Sequence, residues 1–132
     1  MNYSTFLREV TTQLLVKDHL EIIESHFSID YLAHSNGKTY KGHDFVKQFT
    51  KSLRKSISEL KLLSTEMIHE SEGYVTWQRT FTGIHQASMK GIPPSLKKVK
   101  WSEMVVSRIE NEKMIEEWVQ SDLPFQLMIK NM

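Results

Sequence analysis

The sequence predicts an α+β domain with helices first and long strands after them. Two observations carry this. Up to about residue 55 the apolar residues repeat at three- and four-residue steps, and from Glu59 onward the period falls to two. The two regimes follow one another and do not alternate, which argues against a parallel α/β sheet. The chain has 132 residues, enough for one domain that buries about two-thirds of its unfolded surface. No repeat, linker or low-complexity stretch divides it, so residues 1–132 are read as a single domain.

Tyr3, Phe6, Leu7, Val10 and Leu14 form one apolar stripe and predict the first helix. Asp18 followed by Glu21 reads as a capping box that opens a second helix through about His26, with Leu20, Ile23 and Phe27 inward. Ser28 to Lys41 reads as irregular and contains the turn-prone Ser35-Asn36-Gly37. A third helix is expected from His43 to about Lys55, with Phe45, Phe49 and Leu53 on one face and lysines on the other. Leu60, Leu62 and Met67 begin the strands, and Glu70 to Gly73 is a turn. The next strand, Tyr74 to Ala87, puts Val75, Trp77, Arg79, Phe81, Gly83 and His85 on one face. Gly91-Ile92-Pro93-Pro94 must be a loop, because proline cannot donate ladder bonds. Then Val99, Trp101, Glu103, Val105 and Ser107 share a face. On the last strand strict alternation groups Met114, Glu116, Trp118, Gln120 and Asp122. Pro124 closes that strand before a short apolar tail, Phe125 to Ile129.

Composition removes several functions. Seventeen Lys and Arg against sixteen Asp and Glu leave a formal charge of +1, so no nucleic-acid partner is expected. There is no cysteine, hence no thiol nucleophile, disulfide or Cys-based zinc site. No apolar run nears the ~18–20 residues of a membrane span, and Met1 to Val10 lacks the unbroken apolar core of a signal peptide. A cytoplasmic protein without a membrane partner is expected. The glycines match neither GxGxxG nor GxxxxGK, so no phosphate loop is expected. Six histidines invite a metal reading, but His19 and His26 come without an HExxH pattern, and no metal or other cofactor is expected.

The informative feature is charge among large apolar side chains. Alternation places Arg79 with Trp77 and Phe81, Glu103 with Trp101 and Val105, and Asp122 with Trp118 and Met114. A charge buried there must be paired or shift its pKa. Asp122 is therefore a candidate acid or base. The alternative is an ion pair of Arg79 with Asp122 or Glu103 that only fixes the sheet. His34 and His85 are the two histidines placed to face a cavity. The tryptophans at 77, 101 and 118 would suit a flat or apolar small molecule.

Arg79-Thr80-Phe81-Thr82-Gly83-Ile84-His85 with Gly91-Ile92-Pro93-Pro94, and Met114 through Asp122 with Gln126-Leu127, resemble the SnoaL-like polyketide cyclase family. Phe27 through Tyr31, His34, Gly37 and Gly42 fit the same pattern, so the resemblance runs from about Ile22 to Leu127. It implies the cone-shaped α+β barrel of the nuclear transport factor 2-like superfamily: a strongly curved antiparallel sheet around a pocket closed by the N-terminal helices. It also implies a homodimer through the open sheet face, and an aldol-type ring closure using an aspartate where Asp122 stands. The family's assisting histidine has no counterpart after His85. Either Glu103 replaces it, His85 reaches in, or that chemistry is absent.

Two functions are therefore expected as alternatives. One is a cofactor-independent acid/base enzyme of cyclase, isomerase or hydratase type acting on an apolar or aromatic, polyketide-like molecule. Its catalytic candidates are Asp122, His85 and Arg79. The other is a non-catalytic ligand-binding or dimeric interaction module of the same fold. In either, Tyr31, His34, Phe49 and Trp77 are candidates to contact the ligand, as are Trp101, Glu103 and Trp118.

Overall fold

A computed structural model describes all 132 residues, with four α-helices packed on one six-stranded sheet. Helix α1, Tyr3–Thr11, starts at Asn2, whose side-chain oxygen accepts from the Thr5 amide at 2.9 Å. It runs into a π-helical turn, Thr12–Val16, and the predicted stripe is buried at Leu7, Val10 and Leu14. Asp18 adopts a left-handed backbone (φ 59°), a conformation that cannot extend a right-handed helix. The second helix, α2, is consequently only Ile22–His26, shorter than its capping box suggests.

The stretch read as irregular is a hairpin. Strand β1, Phe27–Ser35, pairs with β2, Lys38–Lys41, around Asn36-Gly37. Phe27, Tyr31 and Ala33 are its buried residues; the four-residue step from 27 to 31 hides the strand period from a sequence reading. Helix α3, Gly42–Ser56, follows close to its expected limits and buries Val46, Thr50 and Leu53. Phe45 and Phe49 lie at the margin of this face, with Phe45 stacked on Tyr40 at 4.6 Å.

The remaining strands are β3 (Ile57–Ser71), β4 (Tyr74–His85), β5 (Lys98–Glu110) and β6 (Lys113–Ser121). The apolar tail is helix α4, Leu123–Lys130, with Leu123 and Leu127 buried. Neighbours run β2-β1-β6-β5-β4-β3, all antiparallel except β1 beside β6. The sheet is curved and does not close, so β2 and β3 remain edges. Three register shifts in β3, each adding a residue opposite β4, bend this edge strand. All three two-residue hairpin turns have both residues left-handed: Asn36-Gly37, Glu72-Gly73 and Asn111-Glu112, the geometry that matches strand twist. At Gly73 a Cβ would come within 2.8 Å of the Ile109 carbonyl oxygen, so glycine is required for space as well as for φ. No helix is long and apolar enough to cross a membrane.

Register decides what faces inward. From β4 to β5 the pairing is unbroken, so Val75, Trp77, Arg79 and Phe81 stay on the same side as Val99, Trp101, Glu103, Val105 and Ser107, as alternation predicts. On β6 it breaks: Met114 lies opposite Ile109 but Glu116 opposite Arg108, leaving Ile115 as an unpaired extra residue. A one-residue bulge transfers every later side chain to the other face. Beyond it Glu117, Val119 and Ser121 point inward, and Trp118, Gln120 and Asp122 are exposed.

Candidate functional site

The concave side of the sheet, α1 with its π turn, α3 and α4 enclose a cavity of about 760 Å³. Aliphatic and aromatic residues dominate its wall, among them Leu14, Phe27, Val46, Phe49, Trp77 and Leu127. Four buried titratable side chains interrupt this wall: Tyr31 of β1, Arg79 of β4, Glu103 of β5 and Glu117 of β6. None is more than 9% exposed.

These four fall into two linked groups. Arg79 donates from Nε to Glu103 Oε1 at 2.8 Å, with Nη2 2.7 Å from the same oxygen. Its guanidinium carbon lies 5.3 Å from the Trp77 ring and 5.5 Å from the Phe81 ring, a placement in which aromatic quadrupoles attract the cation. In the second group the Tyr31 hydroxyl donates to Glu117 Oε1 at 2.8 Å and the Ser107 hydroxyl to Glu117 Oε2 at 2.6 Å. Ser107 in turn accepts from the Trp77 indole N–H at 2.9 Å. Each Glu117 oxygen thus has one hydroxyl donor, an arrangement that suits a carboxylate and fixes its plane.

Electrostatics couple the groups. Burial, then the charge of Glu117 and the hydrogen bond to it, hold the Tyr31 phenol well above its ordinary pKa, while Arg79 pulls slightly the other way. Tyr31 is therefore a hydroxyl donor across the physiological range. Burial works against the Arg79 charge, but Glu103 and then Glu117 outweigh it and raise the guanidinium pKa. The one buried cation, Arg79, is bonded to Glu103, so the direct partners of Glu117 are hydroxyls and not a charge. Glu103 and Ser107 are four residues apart on one strand, so the groups are separated by at most about 13 Å of backbone.

The structure assembles some of the expected site residues and scatters others. Arg79, Glu103, Tyr31 and Trp77 meet at the cavity wall, and Phe49 reaches it from α3. His34 borders the rim, but its ring is engaged elsewhere: Nε2 is 2.6 Å from Glu116 Oε2, Nδ1 is 2.9 Å from Thr39 Oγ1, and the ring stacks on Trp118 at 5.0 Å. The Ile115 bulge puts Trp118 on the outer face. Asp122 does not face the cavity either. Its carboxylate accepts from the Ser102 amide at 2.8 Å and from Gln126 Nε2 at 3.2 Å, tying β5 to the start of α4. Trp101 is buried behind the wall, stacked on Phe81 at 5.3 Å. His85 is fully buried away from the cavity, and neither ring nitrogen has a hydrogen-bond partner. No three His, Asp or Glu side chains are grouped to hold a metal ion.

Strict alternation missed Glu117. Its signal was present: an unbroken even-numbered face would have buried Glu116 and Gln120 and exposed Ile115 and Val119, a poor exchange that a bulge removes.

The architecture is thus a curved α+β sheet and helices around an apolar chamber with a few converging polar groups. Residues 5–127 match the model of the SnoaL-like polyketide cyclase family, and the chain belongs to that family. Its fold is shared with AclR of Streptomyces galilaeus, a proposed hydroxylase (22% identity, 98% of this chain and 96% of that one, TM-score 0.79). It is shared also with IdmH of Streptomyces antibioticus, a proposed polyketide cyclase (16% identity, 99% of both chains, TM-score 0.78). An NTF2-like protein of unknown function from Burkholderia pseudomallei is similar over 100% of this chain and 99% of its own, at 16% identity and TM-score 0.75. No curated protein sequence matches the chain.

Proposed function

We propose that the protein binds an apolar, ring-containing small molecule in this cavity and performs acid/base chemistry at a carbon next to a carbonyl. The observation that carries the reading is Glu117: a buried carboxylate on an apolar cavity wall, held by two hydroxyl donors, with a guanidinium in the same chamber. Glu117 takes the proton from carbon, and the C–H electron pair moves through the new C=C bond onto the carbonyl oxygen. Arg79, with Nε and Nη2 on Glu103, turns its remaining edge to that oxygen and stabilises the enolate charge. The enolate carbon can then attack a second carbonyl, whose oxygen takes the proton back from Glu117, which is ring closure. An enolate conjugated with a C=C can instead receive that proton at its far carbon, which is isomerisation. Tyr31 stays protonated and restricts Glu117 to one orientation. Asp122 and His85 have no place in this scheme.

The test is deuterium incorporation next to the carbonyl of a bicyclic ketone such as 2-tetralone in D2O, followed by proton NMR. Glu117→Gln is expected to slow exchange by about 10²–10⁴-fold while leaving quenching of tryptophan fluorescence by the ketone intact. Exchange equal in wild type and Glu117→Gln would refute the base assignment. Saturable binding without exchange would favour a pure binder, the reading supported by the engagement of Arg79 with Glu103. The outer sheet face exposes Tyr74, Met104 and Trp118, and we read it as the homodimer surface; a sedimentation mass of only 15.5 kDa at micromolar concentration would remove that reading.

A further inference from the structure

One end of the molecule combines exposed apolar side chains with an excess of positive charge. On α4, Leu123 and Leu127 face the cavity, while Phe125, Met128 and Ile129 recur at three- and four-residue steps on the solvent side. Phe125 is 61% and Met128 56% exposed. Beside them the loop after β4 displays Leu96, 71% exposed, on a left-handed backbone (φ 62°). For a γ-branched residue this is a strained conformation. Two bonds hold loop and helix together: Lys97 Nζ to the Lys130 carbonyl at 3.2 Å, and Asn131 Nδ2 to the Pro93 carbonyl at 2.8 Å.

The charge at this end is mostly positive, although Asp122, just before α4, touches it through Ser102 and Gln126. Segments 86–102 and 123–132 contain Lys90, Lys97, Lys98, Lys100 and Lys130 and no acidic residue. Elsewhere twelve cationic residues stand against sixteen acidic ones. A nearly neutral protein is therefore polarised.

We propose that this end docks peripherally on an anionic lipid bilayer, with Leu96, Phe125 and Met128 entering the headgroup boundary and the lysines meeting lipid phosphates and carboxylates. Protruding side chains on a short helix and a loop tip suit insertion into a soft interface, whereas docking of a partner helix requires a groove. A second copy of the same face would bring like charges together. The same elements wall the cavity through Met89, Ile92, Leu123 and Leu127, so docking sets the chamber beside the bilayer.

The experiment is co-sedimentation of the full chain with vesicles of phosphatidylcholine alone and of phosphatidylcholine with phosphatidylserine, at low and high salt. Binding is expected only with phosphatidylserine, and weakened by salt. Lys90→Glu with Lys97→Glu should weaken it at least about tenfold, and Phe125→Ser with Met128→Ser by a similar factor, with thermal melts confirming the fold. Should a variant misfold, the lipid and salt responses of the wild type decide. Absence of binding at low salt, or equal binding to both vesicles, overturns the proposal. Capture by an acidic protein without vesicle binding would also overturn it and give the face to a protein partner.

Discussion

Replacing Glu117 by alanine tests the inner network. The wild-type carboxylate accepts from two hydroxyls, Tyr31 at 2.8 Å and Ser107 at 2.6 Å. Alanine leaves both donors buried without an acceptor, at about 1–3 kcal/mol each, and adds a small cavity. Removing an incompletely neutralised buried charge offsets part of that cost. The expected net loss is about 3 kcal/mol, a large share of the 5–15 kcal/mol typical of a domain, and a fall in Tm of about 10 °C for a chain this size. Glutamine should cost less, about 1–2 kcal/mol. Its carbonyl still accepts from Tyr31 and its amide donates to Ser107, which then holds two incoming N–H groups and loses only its own acceptor. Urea melts of wild type, Glu117→Ala, Glu117→Gln, Ser107→Ala and Ser107→Ala with Glu117→Gln give both the ranking and the coupling. Neighbours in one network should show an interaction energy of about 1 kcal/mol or more. Alanine as stable as wild type, or additivity within about 0.3 kcal/mol, would refute the claim that these residues act as a unit.

Three further outcomes follow from the same geometry. Of the four tyrosines, Tyr31 should show its tyrosinate absorbance only as the protein unfolds. Because its folded pKa lies above the unfolded value, its contribution to stability is complete below about pH 10 and declines above it. A Tyr31→Phe variant that loses stability over the same alkaline range as wild type would contradict this. Asp122→Ala should cost about 1 kcal/mol through its lost link to Ser102 and leave ketone binding unchanged; a change in ligand affinity would return Asp122 to the site. Glu112→Gly should raise stability by up to about 1 kcal/mol, since the second position of its turn (φ 59°) favours glycine; a urea melt that shifts downward would show that side-chain contacts outweigh the backbone.

The sequence revealed those parts of the molecule where local pattern and tertiary register agree. α3 and strands β4 and β5 have unbroken periods, so Arg79, Trp77 and Glu103 were found with their facing direction. β1 is hidden because its buried residues are not evenly spaced, and α4 because the four apolar residues of the tail after Pro124 are too few to show a period. The error at Asp122 has one cause, the extra residue at Ile115. A bulge leaves no mark in composition, and its evidence lies in pairing with β5, which a linear reading does not contain. Glu117 was within view as one of two adjacent glutamates, but only the register shows which of the two is inside.

β6 therefore carries two alternative sets of groups on one strand. With the present bulge the chamber receives Glu117, Val119 and Ser121, and the outer face receives Glu116, Trp118 and Asp122. Drawing Ile115 into the regular ladder would exchange the sets without altering the identity of any group in them, whereas deleting Ile115 would leave Glu117 inside. The chamber's chemistry on this wall is thus set by how one residue is paired as much as by side-chain choice. Diversification within such a fold can proceed by the gain or smoothing of a bulge, a route that comparisons of matching positions alone would not detect.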